Sequence, residues 1–312
     1  MEDYDNTPRG NFDALWKIMD QRYCFFSYKN VDWNTVYDKY SRRISNYMDN
    51  EALFYLLDEM LQELKDGHVN LYSPFDVGRY WKWFEDYPSN YVSHLTDEYL
   101  GSDYMMSGGI KYKILEDNIG YMYYGDFSSG MGETNLDYII NKLALCQGII
   151  LDVRDNGGGL LTNSDKLASR FTNEKVLVGY IQHKIGTGHN DFSEPFARYI
   201  EPSKRLRYQK RVVVLTNRKC FSATNDFVNA MRYFPSVIIL GDQTGGGSGL
   251  PFSSELPNGW SVRFSACPSF DADMQQIEYG ILPDIKVDLQ TDDVMKKLDT
   301  LIEAARDLIK QE

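Results

Sequence analysis

Cysteine is scarce in this chain. Cys24, Cys146, Cys220 and Cys267 are the whole complement in 312 residues. They are too few and too scattered for a disulfide framework, and none stands in a CxxC pair that would hold a structural zinc. The HExxH pattern of metallopeptidases is missing too, so no metal or cofactor is expected. No apolar run approaches the roughly 18 residues of a membrane span. Basic residues are outnumbered, 33 against 45 acidic, for a net charge of -12. That balance excludes the basic surface nucleic acid requires. Histidine occurs four times. Lysine is absent from Ala223 to Ile285. Internal repeats and low-complexity tracts are also absent.

What is present reads as one large soluble domain or two modest ones, with ordinary apolar (43%) and charged (25%) fractions. Residues 1–10 form a polar stretch expected to be a disordered leader. Phe12, Leu15, Trp16 and Met19 share a helical face, as do Leu53, Leu57, Met60 and Leu64, so residues 1–70 read as an N-terminal helical subdomain. Residues 71–105 are dense in aromatics (Tyr80, Trp81, Trp83, Phe84, Tyr87, Tyr91) and read either as a packed connection or as a lid. Residues 106–312 alternate strands with helices: a hairpin turning near Asp117–Asn118, strands at 148–154, 211–217 and 236–241, and helices at 136–143, 162–171 and 222–233. Strand-helix-strand order implies parallel pairing with right-handed crossovers, an α/β core. Val294, Leu298, Leu301, Ala305 and Leu308 mark one closing helix.

Two segments carry chemistry. GIILDVRDNGGG (148–159) is an apolar strand ending in glycines whose backbone is free to turn its N–H groups toward a ligand. RVVVLTNRKCFSATNDF (211–227) is a second strand leading to Ser222 at the head of a helix. Amide donors beside such a serine are two of the parts acyl transfer needs. Cys220, flanked by Phe221, reads as a buried core residue rather than a rival nucleophile. A base is the third part. His183 and His189 flank a glycine-containing loop, His94 lies in the aromatic stretch, and His68 stands in LKDGHVNLY after the helix ending near Leu64. On its own, a lone histidine such as His68 is more often structural, and Glu278 beside Tyr279 reads as a surface carboxylate.

LKDGHVNL, DVRDNGGG, NRKCFSATNDF and IEYGILPDI, in that order, resemble the tail-specific, or C-terminal processing, serine peptidases, in the branch of the tricorn core and the retinoid-binding-protein repeats. The resemblance implies a spiral α/β catalytic core of the crotonase and ClpP type behind the N-terminal helices. It implies Ser222 as nucleophile, His68 as general base and Glu278 as the acidic member orienting it. The Ala223 N–H and that of Gly158 or Gly159 would form the oxyanion hole, and the glycine run does not fix which glycine donates. The Ser–Lys branch of the family is excluded, because its lysine would fall in TGGGSG (Thr244–Gly249). The implied activity is serine endopeptidase cleavage of peptides or protein C-terminal regions, with peptide or unfolded protein as partner.

Two departures stand out. Gly67 occupies the place where the tricorn branch has a serine between base and glutamate. Either Glu278 reaches His68 directly, a water bridges them, Asp66 substitutes, or catalysis is weak. The alternative function is accordingly a weak or inactive peptide- or ligand-binding member of the same fold. A crotonase-like acyl-CoA enzyme is the third reading, disfavoured by the serine, histidine and glutamate. The interval from His68 to Ile110 is too short for a PDZ domain, so the aromatic stretch or the TGGGSG loop would shape the cleft. Arg154 is expected to pair with Asp152 or Asp155. The resemblance further implies an exported protein, periplasmic or a cell-envelope lipoprotein whose signal is not in this chain. Oligomeric state is not legible.

Overall fold

The computed structural model describes residues 4–311. In chain order, α1 (Pro8–Arg22), α2 (Phe26–Lys29), α3 (Trp33–Ser41) and α4 (Asn50–Gln62) precede β1 (Asn70–Tyr72), β2 (Val77–Gly78), α5 (Lys82–Glu85), α6 (Ser93–Leu100) and β3 (Met105–Ser107). There follow β4 (Ile110–Ile114), β5 (Gly120–Tyr123), α7 (Glu133–Leu143), β6 (Ile149–Asp152), α8 (Leu161–Ala168), β7 (Val176–Ile181), β8 (Phe196–Ile200), β9 (Val212–Thr216), α9 (Ala223–Met231) and β10 (Val237–Gly241). The remainder is β11 (Leu250–Glu255), β12 (Ser261–Cys267), β13 (Ser269–Phe270), β14 (Ile285–Lys286), α10 (Thr291–Met295) and α11 (Thr300–Lys310).

These elements gather into two compact units. The first comprises residues up to Trp83, Tyr180–Phe196 and Gly247–Ser269. Its helices start where capping chemistry dictates: Thr7 Oγ1 accepts from Gly10 N ahead of α1, which has proline in its first turn, and Asp49 accepts from Ala52 N at α4. Phe12, Leu15 and Met19 of α1 and Phe54, Leu57 and Leu61 of α4 are buried with Leu71, Val262 and Phe264 from the four-stranded sheet β11-β12-β1-β2. Tyr4 packs against this cluster and Pro8–Gly10 are helical, so the expected disordered leader does not hold for residues 4–10. Residues 1–3, part of that expectation, lie outside the described residues.

The second unit comprises Phe84–Gly179, Ala197–Gly246 and Phe270 onward. Its seven-stranded sheet has the order β14-β10-β9-β6-β5-β4-β3. β5, β6, β9, β10 and β14 run parallel, and the β4–β5 hairpin turns at the expected Asp117–Asn118. All five residues of β9 are buried, as a parallel strand covered on both faces requires. Val212 and Val214 pack with Phe227 and Met231 of α9, while Val213 and Leu215 pack with Leu301 and Ala305 of α11. Between His68 and Ile110 the chain holds only β1, β2, α5, α6 and β3, with no inserted domain.

One expectation needs correction. The closing helix is two helices. Lys297 adopts φ 61°, and Asp299 then caps α11 by accepting from Leu301 N and Ile302 N. Leu298 falls in the break, more than a third exposed, so the apolar spacing from Val294 to Leu308 matched one helix by coincidence.

Candidate active site

Ser222 stands between β9 and α9 with φ 57° and ψ -121°, a backbone conformation that costs a non-glycine residue on the order of 1–3 kcal/mol. The surrounding main chain holds it there. Ser222 N donates to Gly246 O at 2.9 Å, Gly245 N to Cys220 O at 2.8 Å, and Cys220 N to Asn217 O at 3.0 Å. Cys220 is core: its Sγ–H donates to Val153 O at 3.0 Å, and burial pushes its thiol far above the ordinary value. A serine presented on a sharp strand-to-helix turn is the geometry that exposes a nucleophile at the end of a sheet.

The glycine run leaves the end of β6 and returns beside this turn. Gly158 has φ 102°, and a Cβ there would lie 2.7 Å from Phe221 O, 2.8 Å from Ser222 Cβ and 3.0 Å from Ala223 N. Only glycine allows that approach. Phe127 N donates to Gly158 O and Leu160 N to Phe127 O, which fastens the run along one side. Gly158 N–H itself donates to Asn156 Oδ1 at 3.0 Å. Among the described residues no acceptor takes the N–H of Gly159 or of Ala223, the first residue of α9. Such amides can stabilise a developing oxyanion, and a helix N-terminus adds to the positive potential.

Glu278 belongs to the same unit and is 5% exposed, not the surface carboxylate that its sequence context reads as. Its segment is tied to the serine turn by main chain. Gly246, the acceptor of the Ser222 N–H, has φ 84°, and a Cβ on it would lie 1.8 Å from Glu278 O. Thr244 N donates to Ile281 O at 3.0 Å, Ile281 N to Thr244 Oγ1 at 2.6 Å, and Asn225 Nδ2 of α9 to Ile277 O at 3.1 Å.

His68 lies in the first unit, in the turn between α4 and β1, and is 2% exposed. Asp66 organises that turn. Its Oδ1 accepts the His68 N–H at 2.8 Å. Its Oδ2 accepts from Tyr23 Oη at 2.9 Å and Ser265 Oγ at 3.0 Å, with Lys29 Nζ at 3.3 Å. Burial pushes the His68 imidazole down to about 4; Asp66 opposes the shift, and Arg263 and Lys29 add to it. Burial would raise Asp66, but Lys29 and His68 outweigh it and keep the carboxylate below its ordinary value. The imidazole is thus neutral at pH 7, the state a general base requires.

The remaining polar candidates are structural. Arg154 is fully buried, with Asp152 at 2.6 Å and Asp299 at 2.9 Å, so of its two expected partners only Asp152 is met. Asp155 pairs instead with Lys219 at 3.2 Å and Asn217 at 2.6 Å. His189 pairs with Asp20 at 2.9 Å, and His183 Nδ1 lies 3.4 Å from Cys267 Sγ. Part of the aromatic stretch packs down: Arg218 lies 3.8 Å from the Tyr87 ring, and Tyr91 stacks on Tyr123. Asn156, immediately before the glycines, escaped sequence reasoning.

A strained serine heading a helix, with a glycine strand packed on it, defines the class of acyl-transfer hydrolases. The chain belongs to peptidase family S41, serine-type hydrolases, whose family model matches residues 118–287; the tricorn protease C1 domain model matches residues 4–62. A crystal structure of a candidate peptidase from Parabacteroides merdae ATCC 43184 is 57% identical, covering 98% of this chain and 97% of that one, with a TM-score of 0.94. The carboxy-terminal processing protease CtpA of Bacillus subtilis (strain 168) is 25% identical over 177 residues, 56% of this chain but 36% of that protein. This chain therefore matches about a third of the length of that curated relative. The tricorn protease shares the fold at a TM-score of 0.60 and 15% identity, covering 98% of this chain and 37% of that one. The expected family and its α/β core are both met.

Proposed function

We propose that the protein is a serine endopeptidase that cleaves peptides or protein C-terminal regions. Ser222 is its nucleophile, His68 its general base and Glu278 the acidic residue that favours the imidazolium. The observation that carries this reading is Ser222 itself, held at φ 57° at the head of α9 with Gly158 packed against its Cβ. Ser222 Oγ attacks a peptide carbonyl, and His68 takes its proton and delivers it to the leaving amine. The oxyanion is held by Ala223 N–H and by one amide of the glycine run. Of Gly158 and Gly159 we favour Gly159, because Asn156 already occupies the Gly158 N–H. Each donor contributes on the order of 3 kcal/mol to such a transition state. CtpA of B. subtilis, by its name, processes carboxy termini, which supports the same substrate class here. Residues 71–105 serve as a connection, a reading supported by the packing of Arg218 on the Tyr87 ring, and the family context favours an envelope or periplasmic location. Among the described residues no helix is long and apolar enough to cross a membrane.

The test is labelling by a fluorophosphonate probe, with the adduct mapped by mass spectrometry, for the wild type and the Ser222→Ala and His68→Ala variants. Adduct on Ser222 that disappears in both variants is the expected outcome. A folded wild type that takes no label overturns the reading. It would leave the peptide- or ligand-binding alternative, which Gly67 favours because it stands where the tricorn branch has a serine.

A further inference from the structure

We propose that Asn156 is a positioning residue: its side chain clamps the glycine run to the head of α9 and so fixes the amide donors relative to Ser222 Oγ. The inference rests on Ser222 being the nucleophile and concerns a residue sealed from solvent. Asn156 is fully buried, and every polar group it owns is engaged. Oδ1 accepts from Gly158 N at 3.0 Å and from Thr224 Oγ1 at 2.6 Å. Nδ2 donates to Tyr124 O at 2.9 Å, just beyond β5. Its main-chain N donates to Val153 O at 3.2 Å, and its main-chain O accepts from Phe221 N at 3.1 Å. One residue thereby ties together the ends of β5 and β6, the glycine run, the residue before the serine and the first turn of α9.

The requirement is for an amide in particular. The site needs an oxygen that takes two donors and, on the same planar group, an N–H that meets a carbonyl. Aspartate would turn a second oxygen toward Tyr124 O, and alanine would leave the Gly158 N–H and the Thr224 hydroxyl without their shared acceptor. Since small misplacements of catalytic groups are expensive in rate, loss of the clamp is expected to slow the chemical step more than it weakens binding.

The experiment measures the fluorophosphonate labelling rate of Ser222 in the full chain, resolved into the limiting rate constant and the half-saturating probe concentration, with Tm recorded for each protein. Asn156→Ala is expected to lower the limiting rate about 100-fold and Thr224→Val about 10-fold, with half-saturation within about threefold of wild type. The double variant is expected to be no slower than Asn156→Ala, because both substitutions break one unit. Wild-type rates in Asn156→Ala, or rate losses that multiply in the double variant, overturn the clamp. If Asn156→Ala does not fold, Thr224→Val decides: a wild-type limiting rate overturns the proposal, and a loss in rate without a matching loss in Tm sustains it. A wild type unlabelled at Ser222 removes the nucleophile reading itself and the clamp with it.

Discussion

Ser222 keeps a strained backbone, and its hydroxyl makes no capping bond to α9. Replacing it with glycine should remove the strain, whereas alanine should keep it. Ser222→Gly is therefore expected to be about 1 kcal/mol more stable than Ser222→Ala in urea unfolding, while both are inert to the fluorophosphonate. Equal stabilities would mean the φ of 57° carries no strain. His68 makes a second prediction. Its pKa near 4, against about 6.5 unfolded, means the unfolded chain binds a proton that the native protein rejects across that window. The stability associated with neutral His68 is thus fully present above pH 6.5 and declines as pH falls toward 4. His68→Gln is expected to flatten that part of the stability profile, and wild-type labelling should hold down to an acid limb near pH 4. A limb at 6.5 would show a histidine of ordinary proton affinity.

Asp299 does two jobs at the start of α11. It caps Leu301 N and Ile302 N, and it holds the buried guanidinium of Arg154. Asp299→Ala removes both and leaves that cation one carboxylate, Asp152, beside the Asn90 carbonyl and the Tyr91 ring. A loss on the order of 4 kcal/mol is expected by denaturant unfolding, with Asp299→Asn losing much less because the amide oxygen still caps. A loss under about 1 kcal/mol for alanine would mean the ion pair adds nothing. This element also shows what the sequence hides. Strands β6, β9 and β10 were legible because buried parallel strands are continuous apolar runs, and α4 and α7 because their apolar residues keep helical spacing. The break at Lys297 was not, since a left-handed lysine leaves the periodicity of its neighbours unchanged. Nor was the β1–β12 pairing, Asn70 with Arg263, which joins distant segments whose alternation is too short to announce it. The serine and glycine run could be read from local pattern. Asn156 could not, because its role depends on Tyr124 and Thr224, and no spacing rule connects them.

The first unit is assembled from three stretches of chain, and the polypeptide leaves and re-enters it at residues 83, 180, 196, 247 and 269. All five tryptophans (Trp16, Trp33, Trp81, Trp83 and Trp260) fall within it. Tryptophan emission therefore reports on this unit alone, and far-UV circular dichroism on both. Because neither unit is a continuous piece of chain, the two urea transitions are expected to superimpose. Midpoints differing by more than about 0.5 M would mean that the units melt independently.

All four cysteines are buried: Cys146 and Cys220 completely, Cys24 and Cys267 nearly so. The native protein should then be silent toward maleimides, and inactivation by a thiol reagent would signal unfolding rather than chemistry at the active centre. The same silence makes the chain a convenient host for a reporter. Tyr47 is fully exposed. A single cysteine introduced there would accept a fluorophore or spin label without background from the native thiols, and no native cysteine would first have to be removed.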